Sequence, residues 1–153
     1  MNEDSRAKAV SVAAAVLNYK NRSSRMLYEK LLEKGIEPCD AEYAIERLRG
    51  FGYLNDQEYA ASAVRYGISK GWGKLRIRRK LMEYKLDEEI IENALASYET
   101  DEDKLDRFIM QNLSDMSDRK EKKRVTDKLL RRGYSWEEIG NAMRRCSMEY
   151  EED

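Results

Sequence analysis

Three stretches of nineteen residues decide the fold: 27–45, LYEKLLEKGIEPCDAEYAI; 77–95, IRRKLMEYKLDEEIIENAL; and 125–143, VTDKLLRRGYSWEEIGNAM. Aligned without a gap, Leu27, Leu31, Leu32, Ile36, Ala44 and Ile45 fall opposite Ile77, Leu81, Met82, Leu86, Ala94 and Leu95, and again opposite Val125, Leu129, Leu130, Tyr134, Ala142 and Met143. Apolar residues at i, i+4 and i+5, then a break, then an alanine with an apolar neighbour, describe two amphipathic helices joined by a tight turn. Gly35 and Gly133 stand at the break, where a helix ends in the left-handed conformation that glycine adopts most easily. Lys85 holds that place in the middle stretch, which must either accept strain or turn differently.

Outward from these pairs, a further helix precedes each one: 5–19 with Val12 and Val16, 56–69 with Tyr59, Ala63 and Tyr66, and 101–113 with Leu105, Phe108 and Ile109. Asp56, Glu58 and the run Asp101-Glu102-Asp103 place acids at the positive ends of the latter two helices. With Pro38 the sole proline and no alternating β-branched run, no strand is expected. The expected fold is all-α, three tandem three-helix units at 1–54, 55–99 and 100–148, followed by an acidic, disordered tail at 149–153. Charged residues make up 39% of the 153 residues, against about 25% in ordinary globular chains, so the core is thin and the molecule elongated.

Composition also removes chemistry. There is no histidine, which eliminates Ser-His and Cys-His nucleophile pairs and imidazole metal sites. Cys39 and Cys146 are far apart in sequence and cannot build a four-thiolate zinc site. The opening Met1-Asn2-Glu3-Asp4 lacks a basic-then-apolar signal, and no apolar run is long enough to span a membrane. We therefore expect a cytoplasmic chain with two reduced thiols and no membrane association. Gly71-Trp72-Gly73-Lys74 lacks the spacing of a phosphate loop and the Ser or Thr after its lysine. No catalytic residue, metal or cofactor is expected.

The near-neutral total of −1 conceals a segregated distribution. Residues 65–85 carry eight basic groups against one acidic, and 119–132 carry eight against two, whereas 86–106 carry nine acids against one base. Each basic segment is the middle helix of its unit. Lys74, Arg76 and Lys80 coincide in repeat register with Lys122, Arg124 and Lys128. With Ile77 and Val125 facing inward, Arg76, Arg79, Lys120, Arg124 and Arg131 fall on outward faces. The first unit has Ser24, Met26 and Lys30 at the matching places. Two basic helices in one register can follow an anionic groove or filament, or they can be solvated faces neutralised by the acidic helices beside them.

Four pieces in this order resemble the RecX family of regulatory proteins: Ser23 with Leu27, Lys30-Leu31 and Lys34-Gly35-Ile36; Gly52-Tyr53-Leu54-Asn55-Asp56-Gln57-Glu58-Tyr59-Ala60; Gly71-Trp72-Gly73 with Arg76-Ile77 and Leu81; and Leu129-Leu130-Arg131-Arg132-Gly133-Tyr134-Ser135. The chain departs from the family pattern at Lys85-Leu86, where Lys-Gly and an apolar residue are usual, and at Met26, where an acid is common. The resemblance implies a curved helical repeat that binds the RecA recombinase and its DNA filament, lies along the filament groove, and inhibits strand exchange, ATP hydrolysis and co-protease activity. It implies a non-catalytic monomer with weak direct DNA contact. Expected contact residues are Lys74, Arg76, Arg79, Lys80, Lys120, Lys122, Arg124, Lys128 and Arg131, with Trp72 as a partner anchor or, alternatively, a cap on the core between units. The competing reading is a stand-alone nucleic-acid module of helix-turn-helix type. Trp136, just after Ser135, reads as structural, and Tyr53, Tyr59, Tyr66, Tyr84 and Tyr98, mostly at helical spacing, read as core or core edge. Ser135 with Glu138 reads as a capping box, and Asn55 as a helix cap.

Overall fold

A computed structural model describes the backbone of residues 3–152 and the side chains of 3–148. Among the described residues there are nine helices and no strand: α1 Glu3–Tyr19, α2 Ser24–Glu33, α3 Pro38–Gly50, α4 Asp56–Ser69, α5 Lys74–Glu83, α6 Glu88–Leu95, α7 Glu102–Asn112, α8 Arg119–Arg131 and α9 Trp136–Glu152. They form an all-α helical repeat of three-helix sets. Helix α9 continues to Glu152, into the stretch read as a disordered tail; Asp153 and the side chains of 149–152 lie outside the described residues.

Local chemistry sets the helix starts. Ser23 accepts from the Met26 amide, Asn55 from Glu58, Asp101 from Lys104, and Asp118 from both Lys120 and Glu121. Ser135 and Glu138 exchange reciprocal bonds of 3.0 and 3.1 Å, completing the expected capping box. The middle helices all end alike. Gly35, Lys85 and Gly133 have φ of +86°, +59° and +99°, and the next residue's amide, at Ile36, Leu86 or Tyr134, reaches back to Leu31, Leu81 or Leu129 respectively. Lys85 thus accepts the strained left-handed conformation in place of a different turn.

Packing groups the chain into two compact units, Met1–Val64 with Lys80–Ala96, and Arg65–Arg79 with Ser97–Asp153, so that α4 and α5 each contribute to both. In the first, Ala9 and Ala13 of α1 are fully buried, and Leu27, Leu31, Ala44 and Leu48 complete the core. In the second, Leu105 and Ile109 of α7, Val125 and Leu129 of α8, and Ile139 and Cys146 of α9 form the core. No disulfide joins Cys39, exposed, to Cys146, buried.

Each unit contains one junction where two middle helices meet end to end. In the first, the Ser23 hydroxyl at the start of α2 donates to the Tyr84 carbonyl at the end of α5. The Ser24 amide and hydroxyl both donate to Asp56 Oδ1, at 2.7 and 3.1 Å. In the second, the Gly73 amide donates to the Arg132 carbonyl at 2.7 Å, and the Leu75 amide to the Gly133 carbonyl at 3.1 Å. The carbonyl end of α8 therefore caps the amide end of α5 directly. Backbones this close leave no room for a side chain: a Cβ on Gly133 would lie 2.4 Å from the Cβ of Arg76, and one on Gly73 would lie 2.4 Å from the Gly133 carbonyl carbon.

Two substitutions at one repeat position should act in opposite directions in urea melts. Gly133→Ala combines left-handed strain with a clash against Arg76 and should cost about 2–5 kcal/mol. Lys85→Gly relieves strain and gives up only an exposed pair with Glu29, so it should gain up to about 1 kcal/mol. An earlier-melting Lys85→Gly protein would mean that the ion pair outweighs the strain.

Candidate protein and nucleic-acid interface

All the sequence-predicted contact residues lie on α5 or α8 or in the loop before α5, and all but Lys80 belong to the second compact unit. Lys120, Arg124, Lys128 and Arg131 are exposed on α8, and Lys122 is partly covered. Lys120, Lys123, Arg124, Asp127 and Arg131 line a shallow hollow of about 270 Å³, within which Lys123 pairs with Asp127 at 3.0 Å. On α5, Arg79 is exposed while Lys74, Arg76 and Lys80 are partly covered.

Arg76 departs from the outward orientation expected of it. Its guanidinium lies 4.2 Å over the ring of Trp72, and its backbone and Cβ meet Gly133. Trp72 is partly buried, edge-on to Tyr66 at 5.6 Å, with its carbonyl accepting from the Tyr98 hydroxyl at 3.2 Å. Its ring therefore packs within the second unit and orients Arg76. Of the other aromatics read as structural, Tyr59 meets Tyr84 edge-on at 5.4 Å, but Tyr53, Tyr66 and Trp136 are 70%, 55% and 70% exposed and are not core residues. Trp136 follows the capping Ser135 at the first helical position of α9, where a side chain stands clear of the helix packing.

The question left open by the sequence was whether neighbouring acids neutralise the basic helices. Of the nine predicted cations, Lys80 alone has a carboxylate within 4 Å among the described residues, that of Glu83 at 3.1 Å. Two of the three acids of α7 are engaged elsewhere. Arg145 of α9 holds Asp106 in a fork at 2.8 and 2.9 Å and reaches Glu102 at 3.8 Å. Hydrogen bonding to Asp106 raises the Arg145 pKa still further above its ordinary value. The strong segregation along the sequence thus persists in space, leaving a cationic α8 open to solvent.

Sequence reasoning missed a second hollow, of about 250 Å³, lined by Lys104, Arg107, Phe108, Gln111 and Arg132 with Gly71 and Tyr134. The Arg132 guanidinium lies 4.5 Å over Phe108, and the Lys128 ammonium 5.9 Å from the same ring. Among the described residues no group of histidine, cysteine or carboxylate side chains could hold a metal ion, and no helix is long and apolar enough to cross a membrane.

Comparison with known proteins gives a consistent result. Models of the first and second three-helix domains of RecX match residues 9–48 and 55–95. The regulatory protein RecX of Xanthomonas campestris pv. campestris is 37% identical over 141 residues, covering 88% of this chain and 83% of that protein. That of Vibrio campbellii is 34% identical over 134 residues, covering 86% of each. The crystal structure of RecX from Lactobacillus salivarius superposes with a TM-score of 0.81 over 96% of this chain and 99% of that one, at 24% identity. A second crystal structure of a regulatory protein RecX gives 0.75 at 25% identity, over 90% of this chain and 70% of that one.

Two outcomes follow from this geometry. Arg76→Ala should cost about 0.5–2 kcal/mol in urea melts, through the lost cation–π contact and stem packing, while Arg124→Ala at the same register should stay within about 0.5 kcal/mol. Equal costs would mean that Arg76 is as solvated as Arg124. Burial and the neighbouring Tyr134 push the Tyr98 hydroxyl up to about 12. Its neutral form is favoured in the folded chain, so that contribution is intact below about pH 10 and fades as pH rises toward 12. Tyr98→Phe should therefore lose less stability than the parent between pH 9 and about pH 11.5.

Proposed function

The chain belongs to the RecX family of regulatory proteins, and we propose that it binds the RecA recombinase and its DNA filament and inhibits strand exchange, ATP hydrolysis and co-protease activity. The observation that carries this reading is the solvent-open cationic face of α8, where Lys120, Arg124, Lys128 and Arg131 are exposed and, among the described residues, only the neighbouring Lys123 is paired with an acid, Asp127. A face kept cationic against a near-neutral total is suited to an anionic partner surface. The action is non-catalytic: occupancy by a monomer in the cytoplasm, where it meets RecA. In this reading the units at 1–54, 55–99 and 100–148 are the repeating elements, with Lys74, Arg79, Lys80, Lys120, Lys122, Arg124, Lys128 and Arg131 as the contact set and Arg76 and Trp72 as its support. Many modest contacts over an extended surface suffice for tight binding.

The helix-turn-helix alternative has less in its favour. A recognition helix offers its N-terminal residues to base edges, whereas the start of α5 is occupied by the Arg132 and Gly133 carbonyls.

Titration into a RecA ATPase assay with single-stranded DNA should lower the rate to a saturable floor; unchanged rates at saturating protein would refute inhibition. Arg124→Glu with Arg131→Glu should melt within about 1 kcal/mol of the parent, since both side chains are exposed, yet bind the filament at least tenfold more weakly. Parent-like binding by this folded double variant would remove α8 from the interface.

A further inference from the structure

The hollow beside α7 borders the cationic face assigned above at Lys128, whose ammonium lies 5.9 Å from the Phe108 ring, but none of the contact residues named above lines it. Leu105 and Leu129, both buried, floor it, and Lys104, Arg107 and Arg132 supply three cations to its lining. No carboxylate lines it, in contrast to the hollow on α8, which contains Asp127. Three of the nearby acids are committed, Asp101 to the Lys104 amide and Glu102 and Asp106 to Arg145, and the fourth, Asp103, is not among the lining residues. Arg132 is oriented before any ligand arrives, because its guanidinium rests on Phe108. A fork-shaped donor held in this way loses little freedom on meeting a phosphate.

Size selects among anions. At about 250 Å³ the hollow falls below the roughly 300–1,000 Å³ of sites that enclose a whole small molecule. It suits one charged group of a longer chain that continues beyond it. Lys104 and Arg107 are one helical turn apart on α7, about 5–6 Å between their Cβ atoms, a spacing comparable with that of consecutive phosphates on one strand. Three cations also exceed what a single peptide carboxylate would neutralise. We infer that this hollow is a phosphate-binding site for single-stranded nucleic acid, with Arg132, Arg107 and Lys104 as its ligands. The choice of a nucleic-acid strand rests on the filament reading above; the phosphate chemistry stands on the hollow alone.

The test is fluorescence anisotropy of a labelled oligothymidylate with the full chain across a sodium chloride series, beside capture of DNA-free RecA. Lys104→Ala with Arg107→Ala alters two exposed side chains and should leave melting unchanged. It should weaken oligothymidylate binding at least tenfold at low salt and lower the magnitude of the double-logarithmic salt slope by about 1.4, or 0.7 for each lost phosphate contact. Arg132→Lys keeps the charge but loses the fork, and should weaken binding with little change of slope. RecA capture should match the parent. Parent-like affinity and slope in the double variant overturn the site, as does a parent that does not bind oligothymidylate at low salt. Polyglutamate competing as well as oligothymidylate at equal charge also overturns it, in favour of an acidic peptide. Failure of the parent to capture RecA counts against the filament reading only, because the oligothymidylate arm contains no RecA.

Discussion

The end-to-end meeting of middle helices is the constraint on which the second compact unit depends. A helix start presents amides without intrahelical partners and a helix end presents carbonyls in the same state. In the second unit these needs are met by one another: Gly73 and Leu75 at the start of α5 donate to Arg132 and Gly133 at the end of α8. The opposed ends of two helix dipoles add a favourable electrostatic term. The corresponding place in the first unit is Ser23, whose hydroxyl both accepts from Met26 and donates to Tyr84. One repeat position is thus solved by a hydroxyl bridge in one unit and by direct backbone contact in the other. The direct solution requires glycine on both sides.

That contact determines which cations remain available. It draws the Arg76 stem against Gly133 and brings its guanidinium over Trp72. The residue in register with Trp72 is Lys120, so Arg124 has no ring beneath it and stays in solvent. The same repeat therefore yields one arginine that supports the unit and one that faces outward. Arg145 gathers Glu102 and Asp106, which keeps these two acids of α7 from neutralising α8.

The helices and their pairing were legible in the sequence because they follow from local chemistry: apolar spacing, caps such as Asn55 and Ser135, and the left-handed break. The break predicted either strain or a different turn at Lys85, and the structure resolves this with φ +59°. The junction between α5 and α8 was not legible. Gly133 already had a complete explanation as a helix-ending glycine, so its second role as the residue that admits Arg76 left no trace of its own. The exposed aromatics were misread for a related reason. Helical spacing gives a direction around one axis, but Tyr53 lies in a loop, and Tyr66 on α4 stays half exposed. The hollow of Lys104, Arg107 and Arg132 needed a long-range contact between α7 and the end of α8, which no local pattern encodes.

The same features explain why a chain with so thin a core keeps so many like charges together. Seven of the thirteen residues of α8 are lysine or arginine, and among the described residues only Lys123 of these seven has a carboxylate, that of Asp127, within 4 Å. Their mutual repulsion lowers the stability of the free helix, moderated by solvent screening. Packing of Val125 and Leu129, the Asp118 cap and the Schellman turn at Gly133 hold the helix despite that repulsion. An anionic partner relieves the repulsion when it binds, so the folded state and the bound state are favoured together. A neutralised helix would be more stable alone and would gain less from an anionic surface, so in the proposed function the cost of unpaired charge and the capacity to bind would lie in the same residues.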